Sequence, residues 1–306
     1  MKFGSKCACS VKNYWAIVLL LLTPAAVFAQ APSTDIWLLD IGFRGNQIQF
    51  DNPENITDRK GYDNQPHFSP DGLYVLYSSM DVDQQADIYR YEIPSGLTHR
   101  LTFTAESEYS PVVTPDGRHF SCVRVERDTF QQRLWVYPLP ETQAKGEEVL
   151  IKNINQVGYY CWMNRKNLAM FIRGRTPTLQ TTHVVKEKPS IVAQNIGRTM
   201  QMIPGTNMLS YIAKEPNGRS YLYQWDPASG RTTTIVEALD GGEDYCWAPT
   251  GYLLMGKGSR LYRFAPGRDM AWQPIADLSE YGITEFQRLT MNSAGTKIAI
   301  VVPRND

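Results

Sequence analysis

Four histidines stand in this chain, at positions 67, 99, 119 and 183. A catalytic zinc site typically draws on three protein ligands, often histidines. No two of these four are spaced i, i+2 or i, i+4, so no local ligand pair is written here. An unpaired histidine on a strand is expected to be packed. His67 is the one to weigh against that, because its strand is expected to border a channel. Beyond residue 30 the cysteines are Cys122, Cys161 and Cys246. An odd number in an exported chain leaves at least one thiol free. Cys161 and Cys246 occupy matching triplets, Tyr160-Cys161-Trp162 and Tyr245-Cys246-Trp247. A nucleophilic cysteine wants a histidine close by, and neither has one in sequence. All three are expected to be small buried apolar groups.

Other chemical signatures fail on specific residues. Asp81, Asp83 and Asp87 suggest a calcium loop, but the glycine that an EF-hand needs at its sixth position is Ala86. Asp87 to Glu92 also reads as a strand. The chain has no G-x-S-x-G elbow and no glycine-rich phosphate loop between a strand and a helix. Trp37, Trp135, Trp162, Trp225 and Trp247 could line a sugar site. Their recurrence at matching places favours packing between repeats instead. No catalytic residue, metal ligand or cofactor is therefore expected.

What remains is a set of charged and aromatic residues in connecting segments. Asp58, Arg59, Lys60, Tyr62 and Asp63 cluster in one. Glu106, Glu108 and Tyr109 stand in the next equivalent one, and Gly241 to Asp244 in a later one. Arg127 and Arg175 lie in connections of the other kind, between a second and a third strand. Mixed charges with tyrosines suit recognition of a polar partner. The plain alternative is that solvated loops are charged anyway. The expected binding set is Asp58, Arg59, Tyr62, Asp63, Glu108, Arg127 and Arg175.

The elements that must position these residues come from a repeat. The turn Ser69-Pro70-Asp71-Gly72 returns as Thr114-Pro115-Asp116-Gly117. Proline presets φ and glycine tolerates positive φ, so each is a turn with a mechanism. Weaker copies fall near Arg165, Gly205, Thr250 and Ala294, giving intervals of 45, 49, 40, 45 and 44 residues. A period in the forties with alternating apolar runs is the mark of a β-propeller. Asp71 and Asp116 are expected to be structural, at the end of the channel away from the binding set.

Counting strands predicts six blades. Third strands are expected at Asp87–Tyr91, Arg133–Tyr137, Leu179–Val184, Ser220–Trp225 and Ser259–Phe264. The sixth is missing after Val302, but Asp35 to Asp40 reads like a copy of Asp87 to Glu92. Gln47 to Ile56 is then the matching fourth strand. The last blade is thus predicted to take two strands from each terminus, which removes an open sheet edge.

The phrases FSPDGLYVLYSS and ADIYRYEIPSGLTHRLT closely resemble the repeat of the TolB-type propeller, the periplasmic component of the Tol–Pal system. The resemblance is specific in the first two units and degenerate later, where Pro-Asp-Gly becomes Asn164-Arg165-Lys166 and Ser293-Ala294-Gly295. It covers the propeller only, since the strand pattern already begins at Asp35. It implies an all-β fold and a role in the cell envelope, with a protein or envelope component as partner.

The first 29 residues read as a signal peptide. Lys2, Lys6 and Lys12 precede an apolar run, Trp15 to Leu22, and Val27-Phe28-Ala29 supplies a cleavage site. The expected product is periplasmic or secreted, a single domain over residues 30–306. No integral membrane segment follows. Beyond Ala29 the chain carries 28 basic and 31 acidic residues, which argues against a nucleic-acid partner. The reading is a non-enzymatic binding module, monomeric or part of a larger complex. The alternative is a propeller lyase or hydrolase whose site gathers at the channel mouth from several blades.

Overall fold

The computed structural model describes Met1, Gly4 and residues 32–44, 47–80, 84–142 and 146–304. The chain divides into Met1–Gln30 and Ala31–Asp306. The expected signal peptide falls almost wholly outside the described residues, as do Asp81 and Asp83.

The second unit is all-β. Its strands open with β1 (Thr34–Arg44) and β2 (Gln47–Asn55). Next come β3 (Tyr62–Phe68), β4 (Tyr74–Met80), β5 (Ala86–Glu92) and β6 (Leu97–Arg100). A second set is β7 (Ser107–Val113), β8 (His119–Val125), β9 (Gln132–Pro138) and β10 (Glu148–Val149). A third is β11 (Val157–Trp162), β12 (Asn167–Ile172), β13 (Thr178–His183) and β14 (Ser190–Gln194). A fourth is β15 (Ile196–Met202), β16 (Leu209–Lys214), β17 (Ser220–Trp225) and β18 (Thr232–Glu237). A fifth is β19 (Tyr245–Trp247), β20 (Leu253–Lys257), β21 (Arg260–Phe264) and β22 (Gln273–Asp277). The chain closes with β23 (Gln287–Met291) and β24 (Lys297–Pro303).

Sets two to five are separate four-stranded antiparallel sheets with strands in chain order. The remaining eight strands form one sheet. Within it β3 to β6 run in the same order, and β1 lies between β24 and β2. The two halves meet through a single parallel pair, Thr34 with Tyr62. Strand β1 pairs with β24 from Thr34↔Pro303 to Asp40↔Lys297. Arg304 adds an ion pair to Asp35 at 3.0 Å, and Lys297 one to Asp40. The N- and C-terminal segments of the fold are thus held in one sheet.

Burial follows strand position. Every residue of β4 is buried, as are the centres of β8, β12, β16 and β24. Every residue of the outermost β6 is exposed, β14 and β22 are mostly so, and β18 has no buried residue. This gradient explains the runs YVLYSSM and LSYIAK, which must satisfy two covered faces. The apolar side chains gather between successive sets. Leu76 and Ile88 of the first pack with Phe120 and Tyr137 of the second. Val123 and Leu134 continue to Val157 and Leu168, and Ala169 and Leu179 to Met200 and Tyr211. Ile212 and Leu222 reach Tyr245 and Met255, and Leu254 and Leu261 reach Ile298 and Ile300. Ile36 and Val301 then pack on Val75 and Tyr77 of the first set. Each fully buried aliphatic side chain contributes about 1.5–3 kcal/mol.

The tryptophans divide. Trp247 is buried, whereas Trp37, Trp135, Trp162 and Trp225 are partly covered and pack on the rims of these clusters. The turns are satisfied locally. Ser69 donates to the Asp71 carboxylate at 2.6 Å, which also accepts the Leu73 N–H at 3.0 Å. Thr114 and Arg118 treat Asp116 the same way. Gly72 and Gly117 adopt φ of 73° and 67°, which only glycine takes at no cost.

Candidate functional site

The first strands β3, β7, β11 and β15 are irregular, as is β23, whereas β19 pairs without a slip. Pairing slips between Asn64 and His67, Tyr109 and Val112, Val157 and Tyr159, Ile196 and Met200, and Gln287 and Leu289. Such bulges bend a strand and re-aim its side chains. Gln65 and Ser110 lie within two of them with φ of 59° and 55°. The residues at or beside the slips line a single cavity of about 460 Å³. Its wall takes Gln65, Ser110, Tyr159, Thr199 and Arg288 from five different strands, and Asp244 from just before β19. These residues are spaced 45, 49, 40, 45 and 44 apart, the intervals of the turn repeat itself. The cavity is therefore the central channel, lined by the first strands.

Its charged wall has two parts. Arg198 Nε and Nη2 bind both oxygens of Asp244, the Nε contact at 2.9 Å, and Thr199 donates to Asp244 Oδ1 at 3.2 Å. Burial would raise the Asp244 pKa, but the Arg198 hydrogen bonds and the charges of Arg288 and Arg198 hold it below the usual range. Arg288 is different. Its Nη2 donates to Tyr159 Oη at 2.9 Å and its guanidinium carbon stands 5.0 Å from the Tyr159 ring centroid. Tyr62 lies within the field of Arg288, Tyr159, Tyr109 and Arg198, and burial pushes its phenol up to about 12.

Of the residues expected from sequence, Tyr62 joins this group. Asp58 is exposed and accepts from Arg304 at 3.1 Å. Arg127 and Arg175 are exposed on separate connections, and the Arg127 N–H binds the Glu106 carboxylate. Asp63 and Glu108 sit at matching places and are wholly buried. Arg59 binds Asp63 at 2.7 Å and also reaches the Ser79 hydroxyl. Glu108 accepts from Thr104 at 2.5 Å and Tyr137 at 3.2 Å. Burial pushes Asp63 up to about 6 and Glu108 up to about 7. These two carboxylates brace the first strands from within, while Asp58, Arg127 and Arg175 face solvent.

His67, Cys161 and Cys246 also line the cavity. Burial drives the imidazole down to about 4 and both thiols up, so all three are neutral near pH 7. His67 Nδ1 is buried with no hydrogen-bond partner among the described residues. All three thiols are free, and Cys122 is buried like Cys246. Among the described residues no three His, Cys, Asp or Glu side chains come together as a metal site.

A structure titled as a putative TolB from Agrobacterium tumefaciens superimposes with a TM-score of 0.69, covering 90% of this chain and all of that one at 11% identity. The fold is TolB-like. TolB from Acinetobacter baumannii matches with a TM-score of 0.57 at 12% identity, over 90% of this chain and 64% of its own. An oligogalacturonate lyase in complex with manganese has a TM-score of 0.53 at 12% identity, over 83% and 80%. No protein-family model and no curated protein matches the sequence. The TolB-like repeat read from FSPDGLYVLYSS thus extends to the fold of the whole unit. Among the described residues no helix is long and apolar enough to cross a membrane.

Arg198, Arg288 and Tyr159 were not part of the expected set. Their signal was available: six residues before each turn of the repeat stands a channel residue, or its neighbour in the case of Arg198.

Proposed function

We propose that this chain is a six-bladed propeller, its last blade closed by strands from both termini, serving as a non-enzymatic binding module of the bacterial cell envelope. It is exported by a cleaved signal peptide and is periplasmic or secreted. Its partner is a protein or envelope component, engaged at the end of the channel where the connecting loops gather. Asp58, Arg59, Tyr62, Arg127 and Arg175 make the contact, and Asp63 and Glu108 hold the first strands beneath it. One observation carries this reading: six repeat-equivalent residues, five of them on strands whose pairing slips, line one cavity, and the flanking connections carry exposed charges. Complementary charge there speeds encounter and selects the partner.

The test is retention of envelope components on immobilised protein. The double variant Arg127→Glu/Arg175→Glu should lose what the wild type holds, with its melting temperature unchanged. Equal retention would contradict the reading.

A second reading is favoured by one feature, the neutral His67 with a buried, unpartnered Nδ1 in the channel wall. Such a group could serve as a base. That reading requires turnover of a small substrate that His67→Gln abolishes.

A further inference from the structure

We propose that the mouth of the channel is also a binding site for the carboxylate of a small organic acid, with Arg288 as its anchor. This site lies inside the cavity and is separate from the loop charges that meet a larger partner.

The two arginines of the cavity wall differ in what they already hold. Arg198 grips Asp244 with two nitrogens, and Thr199 completes that contact. Its fork is occupied and the Asp244 charge is compensated. Among the described residues no carboxylate lies within ion-pair distance of Arg288. Among the described residues its one hydrogen bond goes to the phenol oxygen of Tyr159. A guanidinium has five N–H donors, so most of them remain for a ligand. Arg288 is half-buried and lines the cavity, so those donors are available from the channel.

The surroundings select the ligand. A planar fork matches a planar carboxylate with two parallel hydrogen bonds. A phosphate dianion would call for a second free cation, and Arg198 is committed. Tyr159 lies beside Arg288, and Tyr62, within the field of the same guanidinium, is held at about 12 by burial. Tyr159 offers an aromatic face in the cavity wall. The cavity, about 460 Å³, falls in the range of small-molecule sites. The ligand class is thus a small carboxylate with an apolar or aromatic body.

Benzoate is the probe, titrated into the full protein near neutral pH by calorimetry. One saturable site is expected. Benzamide, the same shape without the charge, should bind at least about tenfold more weakly. Arg288→Met should weaken benzoate by a similar factor, and Arg288→Lys by less. Inorganic phosphate should compete poorly. Equal binding of benzoate and benzamide would overturn the proposal, as would no benzoate binding at millimolar concentration. Phosphate competing as well as benzoate would make the site a general anion sink and overturn the carboxylate assignment. The benzoate–benzamide comparison uses the wild-type protein, so it decides even if a variant fails to fold. Arg127→Glu/Arg175→Glu should leave the benzoate titration unchanged, which separates this site from the partner face.

Discussion

Tyr245 donates its hydroxyl hydrogen to Ser210 Oγ at 2.9 Å, and both residues are wholly buried. Trp247 Nε1 donates to the same oxygen at 2.8 Å, and Ser210 in turn donates to the Gln201 carbonyl at 2.9 Å. One donor and two lone pairs are all that a serine hydroxyl has. The arrangement recurs two sets earlier. Ser121 accepts from Tyr160 at 2.8 Å and from Trp162 at 2.9 Å, and donates to the Val112 carbonyl at 3.2 Å. The Tyr-Cys-Trp triplets are thus clasps, each fastening the first strand of one set to the second strand of the set before.

Ser210→Ala should therefore cost more than a surface serine would. It leaves two buried donors without an acceptor, each worth about 1–3 kcal/mol. Ser121→Ala should behave alike, and the two losses should add because the sites share no partner. Chemical denaturation of the single and double variants measures this.

Stability should depend on pH through Glu108 and Asp63. Their folded pKa values, about 7 and about 6, lie above the ordinary carboxylate range because both are buried. Between about pH 4 and pH 7 the folded state holds protons that the unfolded state has released, so stability falls as pH rises. Glu108→Gln should flatten the part of that slope nearest neutrality. Melting temperatures of wild type and variant across this window check it. An unchanged slope would contradict the assignment.

The joining of the termini makes its own forecast. Ile36 is fully buried between β24 and the first set. Ile36→Ala should cost about 2–5 kcal/mol. Trp37→Ala should fall at or below about 3 kcal/mol, since that side chain is only partly covered. Removing residues 32–44 should lower one cooperative transition of the whole unit. An unaltered melting curve would show that β1 is dispensable.

Much of this fold was legible. Pro-Asp-Gly turns and alternating apolar runs located the strands closely. The run Asp87–Tyr91 proved to be Ala86–Glu92, and the orphan copy at Asp35–Asp40 proved to pair with β24. Turns and alternation are local, so a sequence states them directly. The mouth was less legible because its ring uses a different residue type at every position, from Gln65 to Arg288. Residue type alone does not announce convergence there; only the repeat interval does. Asp63 and Glu108 read as loop charges because burial comes from distant partners, Ser79 for one and Tyr137 for the other.

The two ends of the channel should respond differently to charge. Binding at the loop end should weaken as salt rises, since those charges are exposed and screened. Asp71→Ala and Asp116→Ala should lower stability by undoing the turn hydrogen bonds while sparing affinity.

The central claim is that the loop end is the recognition face. Site-specific photocrosslinking in the envelope tests it most directly. A photoreactive residue at Asp58, Arg127 or Arg175, all exposed at the loop end, should give a discrete adduct with one partner. The same residue at exposed Leu73 or Arg118, in the turns at the other end, should give none. Adducts from Leu73 or Arg118 alone would contradict the account.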